Sequence, residues 1–136
     1  MNLIVGVSDM KVTNDIEATL VTYSLGSCIG VAIYDSVARV GGLLHYMLPE
    51  SGLDQEKARK NPYMFADTGI PALFLDQKGL FNIGKRNDIA VRKMFHKNNV
   101  IIDYKDVGGT VNRTIKLSIN TGDIWLKVSG RGEKKI

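Results

Sequence analysis

Two short apolar runs separated by a polar break constrain the fold of this chain most strongly. The first run covers residues 29–34 and ends at Asp35-Ser36, and the second, residues 40–47, follows after a short connection. Each run has the length of a β-strand, and so short a connection favours a hairpin. The first arm starts directly after Cys28, and the second arm carries His45. We therefore expect the hairpin to return the imidazole of His45 toward the thiol of Cys28.

Further strands and two helices are predicted around this hairpin. Residues 63–75 and 85–98 have the apolar spacing of helices, although Pro71 must lie near the start of the first helix or kink it. The polar, turn-rich residues 49–62 indicate a mobile surface loop that can border a binding site, and residues 130–135 indicate a loose tail. The other predicted strands are residues 3–12, 19–24, 100–104, 113–120 and 123–129.

The length and composition of the chain indicate a single globular domain. It has 136 residues, of which 44% are hydrophobic and 24% charged, and these are ordinary values for a folded domain of this size. Strands come first along the chain, then helices, then strands again, which is typical of segregated α and β elements. We predict one α+β domain over residues 1–136, with a mixed or antiparallel β-sheet core and two main helices packed outside.

Charge and cysteine content exclude several classes of protein. Because Cys28 is the only cysteine, no disulfide can form within the chain, and the first residues lack the pattern of an export signal, so we expect a cytoplasmic protein. No apolar stretch is long enough for membrane insertion. The 18 basic and 14 acidic residues give a net charge of only +4. The basic residues are spread without interleaved aromatics, which argues against nucleic acid as a partner.

Cys28, His45 and Thr22 together suggest nucleophilic catalysis. A thiol needs a base to become a nucleophile, and the base needs a partner that holds its tautomer. Gly26 and Gly30, on either side of Cys28, allow the backbone to turn and approach a substrate, and amides after such a turn favour a thiolate. A helical turn starting here would strengthen that effect. The alternative is a buried, inert cysteine, since free cysteines often act as small hydrophobes.

The two histidines differ in their sequence surroundings. His45 lies in an otherwise apolar segment, where an imidazole must find a hydrogen-bond partner, so it is either a structural histidine or the base. His96 lies on the polar side of a predicted helix and is expected to be solvated. One cysteine and two separated histidines do not provide the ligand spacing of a zinc site, so we expect no metal. A turn between strands explains Gly108-Gly109 better than a phosphate loop does.

Several short motifs, taken in order, resemble one bacterial family. The resemblance covers nearly the whole chain, and although each motif alone is unspecific, their order and the spacing of Thr22, Cys28 and His45 are specific. The motifs are Leu25-Gly26-Ser27-Cys28, Tyr34-Asp35, Ala38-Arg39-Val40-Gly41-Gly42, His45-Tyr46-Met47-Leu48-Pro49, Ile83-Gly84-Lys85-Arg86-Asn87 and Asp106-Val107-Gly108-Gly109. With these motifs the chain resembles the chemoreceptor glutamine deamidases, the CheD family.

The resemblance implies hydrolysis of glutamine side-chain amides in the cytoplasmic helices of chemoreceptors, giving glutamate and ammonia without a cofactor. It implies that Cys28, His45 and Thr22 are the catalytic set, with the Cys28 thiolate attacking the amide carbon and forming a thioester. Backbone N–H groups of Ser27, Cys28 and Ile29 would hold the oxyanion, His45 would act as acid and base, and Thr22 would orient His45.

The resemblance also implies a second protein partner, a chemotaxis phosphatase of the CheC type. A chemotaxis adaptor that regulates this phosphatase without catalysis is therefore an alternative function, and it needs no reactive thiol. A thioesterase or an enzyme that transfers the amide to an amine would use the same nucleophile. The products distinguish these reactions, because deamidation leaves a new carboxylate on the protein substrate.

One stretch departs from the family pattern. After Pro71-Ala72-Leu73-Phe74 the family continues through more helix and a strand before a segment like the one starting at Leu75. Either the sheet of this protein is shortened, or a stretch is missing between residues 74 and 75 of the sequence. We favour a missing stretch, because loss of a core strand would leave an open sheet edge and uncovered apolar surface.

Overall fold

The computed structural model of the protein describes residues 1–80, 106 and 111–136. In these residues the chain forms strands first, then a helical segment, then strands again. Two short 3₁₀ turns, Ser51–Leu53 and Pro62–Met64, flank the first helix. The strands are β1 (Asn2–Ile4), β2 (Asp9–Thr13), β3 (Thr19–Leu25), β4 (Ile29–Asp35), β5 (Val40–Tyr46), β6 (Arg113–Ser118), β7 (Ile124–Val128) and β8 (Gly132–Lys135), and the helices are α1 (Gln55–Lys60) and α2 (Ala66–Leu80).

The strands in the described ranges form two sheets. The larger sheet has the order β1-β3-β6-β7-β8, and the smaller has the order β2-β5-β4. Strand β1 pairs in parallel with β3, whereas the other pairs in both sheets are antiparallel. The predicted hairpin is confirmed as β4 and β5, which pair from Ile29 with Tyr46 to Asp35 with Val40. The predicted α+β class is likewise confirmed.

Strand β5 lies between two apolar layers. Its side chains alternate in direction, as a strand requires: Leu43 joins the core cluster between the sheets, and Leu44 joins a second cluster with Leu73 of α2. Gly41 and Gly42 allow close contact on both sides, since a Cβ at Gly42 would lie 2.7 Å from Cδ1 of Leu73. The smaller sheet is therefore covered by the larger sheet on one face and by α2 on the other.

The helical segment corrects two predictions. Residues 49–62, expected to be a mobile loop, contain α1, whose first turn is capped by Asp54 accepting a hydrogen bond from the amide of Lys57 over 3.1 Å. Helix α2 starts at Ala66 rather than residue 63, and it contains Pro71. The helix is assigned without a break through Phe74 and Leu75.

Two strand predictions were also wrong in part. The segment 3–12 is two strands in different sheets, because the chain turns between them at Ser8, whose φ is +55°. Residues 130–135, expected to be a loose tail, contain β8, which pairs with β7. The tail is ordered because it hydrogen-bonds to the otherwise open edge of β7. The predicted helix 85–98 and strand 100–104 lie outside the described residues.

Candidate active site

Strand register brings Thr22 and His45 together between the sheets. His45 is two positions after Leu43 on β5, so its side chain points into the same layer between the sheets. Thr22 is two positions after Leu20 on β3, and Leu20 is also part of that layer. Both Thr22 and His45 have 0% exposed surface. The interior therefore contains a polar pair surrounded by aliphatic side chains.

The hydroxyl of Thr22 makes two hydrogen bonds, and together they fix the tautomer of His45. Oγ1 of Thr22 donates to the backbone carbonyl of Val5 over 2.7 Å. A hydroxyl has only one hydrogen, so Oγ1 must accept at its 2.8 Å contact with Nδ1 of His45. The imidazole proton therefore lies on Nδ1, and Nε2 carries the lone pair.

The second ring nitrogen of His45, Nε2, is buried. Nε2 has no hydrogen-bond partner among the residues that the structure describes. Burial lowers the pKa of His45 below its usual value of 6.5, because the charged imidazolium would lose its hydration. The ring is therefore neutral near pH 7. A neutral imidazole with a free Nε2 lone pair is the form that a general base needs.

Cys28 lies in the short connection between β3 and β4. A β-bulge between Thr22 and Leu25 disturbs the pairing of β3, and Ser24 within it has a φ of +59°. This bend turns the chain away from the sheet directly before the cysteine. Residues 26–28 form a bend and not the helical turn considered from the sequence. Cys28 is half-buried, in contrast to the fully buried Thr22 and His45.

The hairpin places Cys28 close to His45 in register. His45 pairs with Gly30, and Cys28 precedes Gly30 by two positions. Nε2 of His45 makes no hydrogen bond to Cys28 or to any other described residue. Catalytic hydrogen bonds are often long before substrate binds, so this geometry is compatible with a thiol and a base that engage in the complex.

Backbone amides next to Cys28 are available as donors. Among the described residues, no loop or side-chain hydrogen bond uses the N–H of Ser27 or Cys28, whereas the N–H of Gly26 donates to the carbonyl of Ser24 over 2.9 Å. Ile29 is the first residue of β4. The amides of Ser27 and Cys28 can therefore donate to an oxyanion that forms beside the thiol.

A cavity of about 170 Å³ opens beside Cys28. It is far larger than the ~15 Å³ that a single water needs. Thr22 and His45 do not line it, but Gly30, which pairs with His45, does. The described residues that line the cavity are Leu25, Gly26, Ser27, Cys28, Ile29, Gly30, Asp106, Arg113, Ile115 and Leu126.

Two charged cavity residues were not found by sequence reasoning. Asp106 was noted only as part of a motif, and Arg113 only as the first residue of a strand. The pairing of β3 with β6 puts Arg113 opposite Leu25, and Nη2 of Arg113 donates to Oδ1 of Asp106 over 2.9 Å. No local sequence signal gives this contact, because the strand pairing that creates it joins distant parts of the chain.

The described residues were expected to hold neither a metal site nor a membrane-spanning segment. No group of three or more His, Cys, Asp or Glu side chains in these ranges is arranged to hold a metal ion. Within the same part of the chain, no helix is both long and apolar enough to span a bilayer.

Comparison with known proteins gives consistent matches. The family model described as CheD chemotactic sensory transduction matches residues 73–128. A probable chemoreceptor glutamine deamidase CheD 1 of Syntrophus aciditrophicus is 48% identical over 152 residues, covering 95% of this chain and 95% of the relative. A probable chemoreceptor glutamine deamidase CheD of Solibacter usitatus is 42% identical over 157 residues, covering 98% of this chain and 93% of the relative.

The alignments bear on the departure from the family pattern and on the identity of the chain. They extend over 152 and 157 residues, more than the 136 of this chain, so the relatives contain residues that this sequence lacks. The expectation that a stretch is missing after Phe74 stays a prediction. With identities of 48% and 42% over nearly its whole length, the chain belongs to the CheD family.

Proposed function

We propose that this protein is a cysteine-dependent protein-glutamine deamidase that acts on bacterial chemoreceptors. The names of the relatives support the reaction and the substrate class. The structural observation that carries the proposal is the hydrogen-bond arrangement around His45. Thr22 accepts from Nδ1, and Nε2 stays without a partner among the described residues, while Cys28 lines an open cavity near by.

The first half of the proposed reaction forms a thioester. Nε2 of His45 takes the proton from Sγ of Cys28, and the thiolate attacks the carbon of the glutamine carboxamide. The carbonyl oxygen becomes an oxyanion, to which the amides of Ser27, Cys28 and Ile29 donate. The carbon–nitrogen bond then breaks, and the proton held by His45 goes to the leaving group. Ammonia departs and the acyl group stays on Cys28.

The second half hydrolyses the thioester. Nε2 of His45, again unprotonated, takes a proton from water as the water oxygen attacks the thioester carbon. The carbon–sulfur bond breaks, Cys28 recovers its proton, and the receptor carries glutamate. Thr22 is a neutral partner for the imidazolium, so it stabilises the charged ring less than a carboxylate would. A slow enzyme that acts once at each receptor site suits this arrangement.

The location and the second partner belong to the same proposal. The receptor helices that carry the glutamines are cytoplasmic, so the enzyme acts in the cytoplasm. A chemotaxis phosphatase of the CheC type is its proposed regulatory partner, on the strength of the family resemblance. Binding of that phosphatase needs a surface and no reactive thiol, and it is therefore separable from deamidation.

Incubation with a receptor cytoplasmic fragment, followed by mass analysis of its peptides, tests the proposal. We expect conversion of specific glutamines to glutamates by the wild-type protein and none by Cys28→Ala. Cys28→Ser is the matched control for shape, and it should also be inactive, because a serine hydroxyl is a far weaker nucleophile here. Unchanged circular dichroism in both variants shows that the fold is kept.

The outcomes separate an enzyme from an adaptor. Conversion that persists in Cys28→Ala contradicts the proposed mechanism. If the wild-type protein binds the fragment and the phosphatase but converts no glutamine, then the adaptor function replaces the proposal. If the product carries an added amine instead of a carboxylate, the same thiol performs transfer and not hydrolysis.

A further inference from the structure

An ion pair forms one wall of the cavity that contains the thiol. Among the described lining residues, Asp106 and Arg113 are the charged ones, and the other members are apolar side chains, glycines and Ser27 beside Cys28. A substrate group that enters to reach Sγ of Cys28 therefore meets this pair. Among the described lining residues, this pair is therefore the source of charge that can discriminate between entering groups.

The two members of the pair are not equally accessible. The side chain of Arg113 is 11% exposed and that of Asp106 is 31% exposed. The hydrogen bond between them uses Oδ1 of Asp106, and no described residue donates to Oδ2. Both side chains line the cavity, but Asp106 is the more exposed of the two, and its Oδ2 is the oxygen that a bound group can reach.

The pair has little value for stability alone. A partly exposed ion pair gains modest Coulomb energy and loses side-chain entropy, so its net contribution to folding is small. Its position has a clearer consequence for recognition. A carboxamide NH₂ offers two donors, whereas a carboxylate only accepts. A fixed carboxylate in the wall attracts the first group and repels the second.

We propose that Asp106, held in place by Arg113, is a specificity-determining residue that selects a side-chain carboxamide over a carboxylate at Cys28. The inference rests on the proposed function, in which glutamine is the substrate and glutamate the product. Oδ2 of Asp106 accepts from the NH₂ of the bound glutamine. After hydrolysis the new carboxylate of glutamate is repelled by the same oxygen, which favours product release.

Alkylation of Cys28 tests this selectivity without using deamidation. Iodoacetamide and iodoacetate differ only in carrying a carboxamide or a carboxylate, and each adds its CH₂ group to Sγ as iodide leaves. Because Cys28 is the only cysteine, the mass increase of the intact protein reports this site alone. The measured quantity is the ratio of the two rate constants, iodoacetamide over iodoacetate, near neutral pH.

We expect Asp106→Asn to lower this ratio about three- to tenfold, the effect of removing a unit charge roughly 6 Å from the reagent at a solvated site. Asn keeps an oxygen that can accept from Arg113. Asp123→Asn is the matched control, since Asp123 also faces a cation, Lys135, over 3.7 Å. Asp123 directly precedes β7, whereas Arg113 pairs with Val128 at the other end of that strand. Asp123 is therefore far from the cavity, and the ratio measured for Asp123→Asn should equal that of the wild type.

The outcomes are distinct from those of the deamidation assay. An unchanged ratio in Asp106→Asn, or an equal fall in Asp123→Asn, overturns the inference even if the protein deamidates receptors. A fall confined to Asp106→Asn upholds it even if no receptor substrate is found. Should Asp106→Asn fail to fold, the ratio of the folded wild-type protein is compared with that of the same protein in urea. The folded ratio must then be the higher one, and equality overturns the inference.

Discussion

The Thr22 and His45 pair and the Cys28 connection are built in different ways. The pair lies on two strands, has no exposed surface and makes short hydrogen bonds of 2.7 and 2.8 Å. Cys28 lies in a bend after a β-bulge, is half-buried and opens onto a cavity. The proposed base is therefore held by the sheets, and the proposed nucleophile is held by a loop.

This difference suits the separate tasks that we propose for the two regions. A proton acceptor must keep one tautomer and stay unprotonated, and a strand register and burial provide both. A nucleophile must meet a side chain of another protein, which a buried strand position would prevent. Gly30 connects the two regions, because it pairs with His45 and also lines the cavity.

Removal of the proposed base, His45, should have the largest effect on activity. His45→Gln keeps a side chain that can donate to Thr22 but has no lone pair of sufficient basicity. We expect deamidation of a receptor fragment to fall about 10²- to 10⁴-fold, the usual range for loss of general acid–base catalysis. His96→Gln, at the other histidine of the chain, is the matched control and should leave the rate unchanged. Equal rates for His45→Gln and wild type would show that His45 is not the general base.

Loss of the Thr22 hydroxyl should be the next largest effect. Thr22→Val keeps the shape but leaves the carbonyl of Val5 and Nδ1 of His45 without partners, which costs about 1–3 kcal/mol of unfolding free energy. We expect kcat to fall about tenfold or more, with KM little changed, because the ring would lose its fixed tautomer.

Thr22→Ser distinguishes orientation from packing at this position. Serine loses the buried methyl group but keeps the hydroxyl and both hydrogen bonds. We therefore expect kcat close to wild type even where urea unfolding shows a loss of stability. If serine and valine lower kcat equally, then Thr22 acts through packing and not by orienting His45. The hydrogen bond between Thr22 and His45 would then have no part in proton transfer.

The pH dependence of stability should report the burial of His45. Its pKa is lowered in the folded protein by burial, so the unfolded chain binds a proton first as the pH falls. The unfolding free energy therefore keeps this contribution above about pH 6.5. Below that pH it falls by at most about 1.4 kcal/mol per pH unit, until the pH passes the pKa of His45 in the folded protein. Urea unfolding at several pH values measures this slope. The slope of wild type should exceed that of His45→Gln, and equal slopes would contradict the assigned burial effect.

Local patterns predicted much of the strand layout. The hairpin of β4 and β5 followed from two apolar runs and a short polar break, and it correctly put His45 opposite the start of the first arm. The division of the segment 3–12 into β1 and β2 was missed because an alternating pattern does not show where a chain changes sheets. Asp54, which caps α1, is a local helix-start signal, but the polar, turn-rich composition of residues 49–62 favours a loop.

The candidate site was likewise predicted only in part from the sequence. Thr22, Cys28 and His45 were identified from residue chemistry and a family resemblance, and the structure brings Thr22 and His45 into direct contact. The carbonyl of Val5 and the pair of Asp106 and Arg113 were missed. Each of these contacts depends on pairing or packing between distant segments, which the composition of a single segment does not encode.

The smallest effect expected tests whether the interior is packed more tightly than the connection. A Cβ at Gly30 would lie 2.7 Å from Cδ1 of Ile115 and 2.8 Å from Cδ1 of Leu25, whereas at Gly26 it would lie 3.1 Å from Oδ1 of Asn112. Neither glycine has a positive φ, so alanine meets only steric resistance. We expect Gly30→Ala to lower the unfolding free energy by about 1 kcal/mol and Gly26→Ala to change it by less than about 0.5 kcal/mol. Equal losses in urea unfolding would mean that the connection around Cys28 is as tightly packed as the sheets, and the loop would then have no freedom to adjust to a substrate.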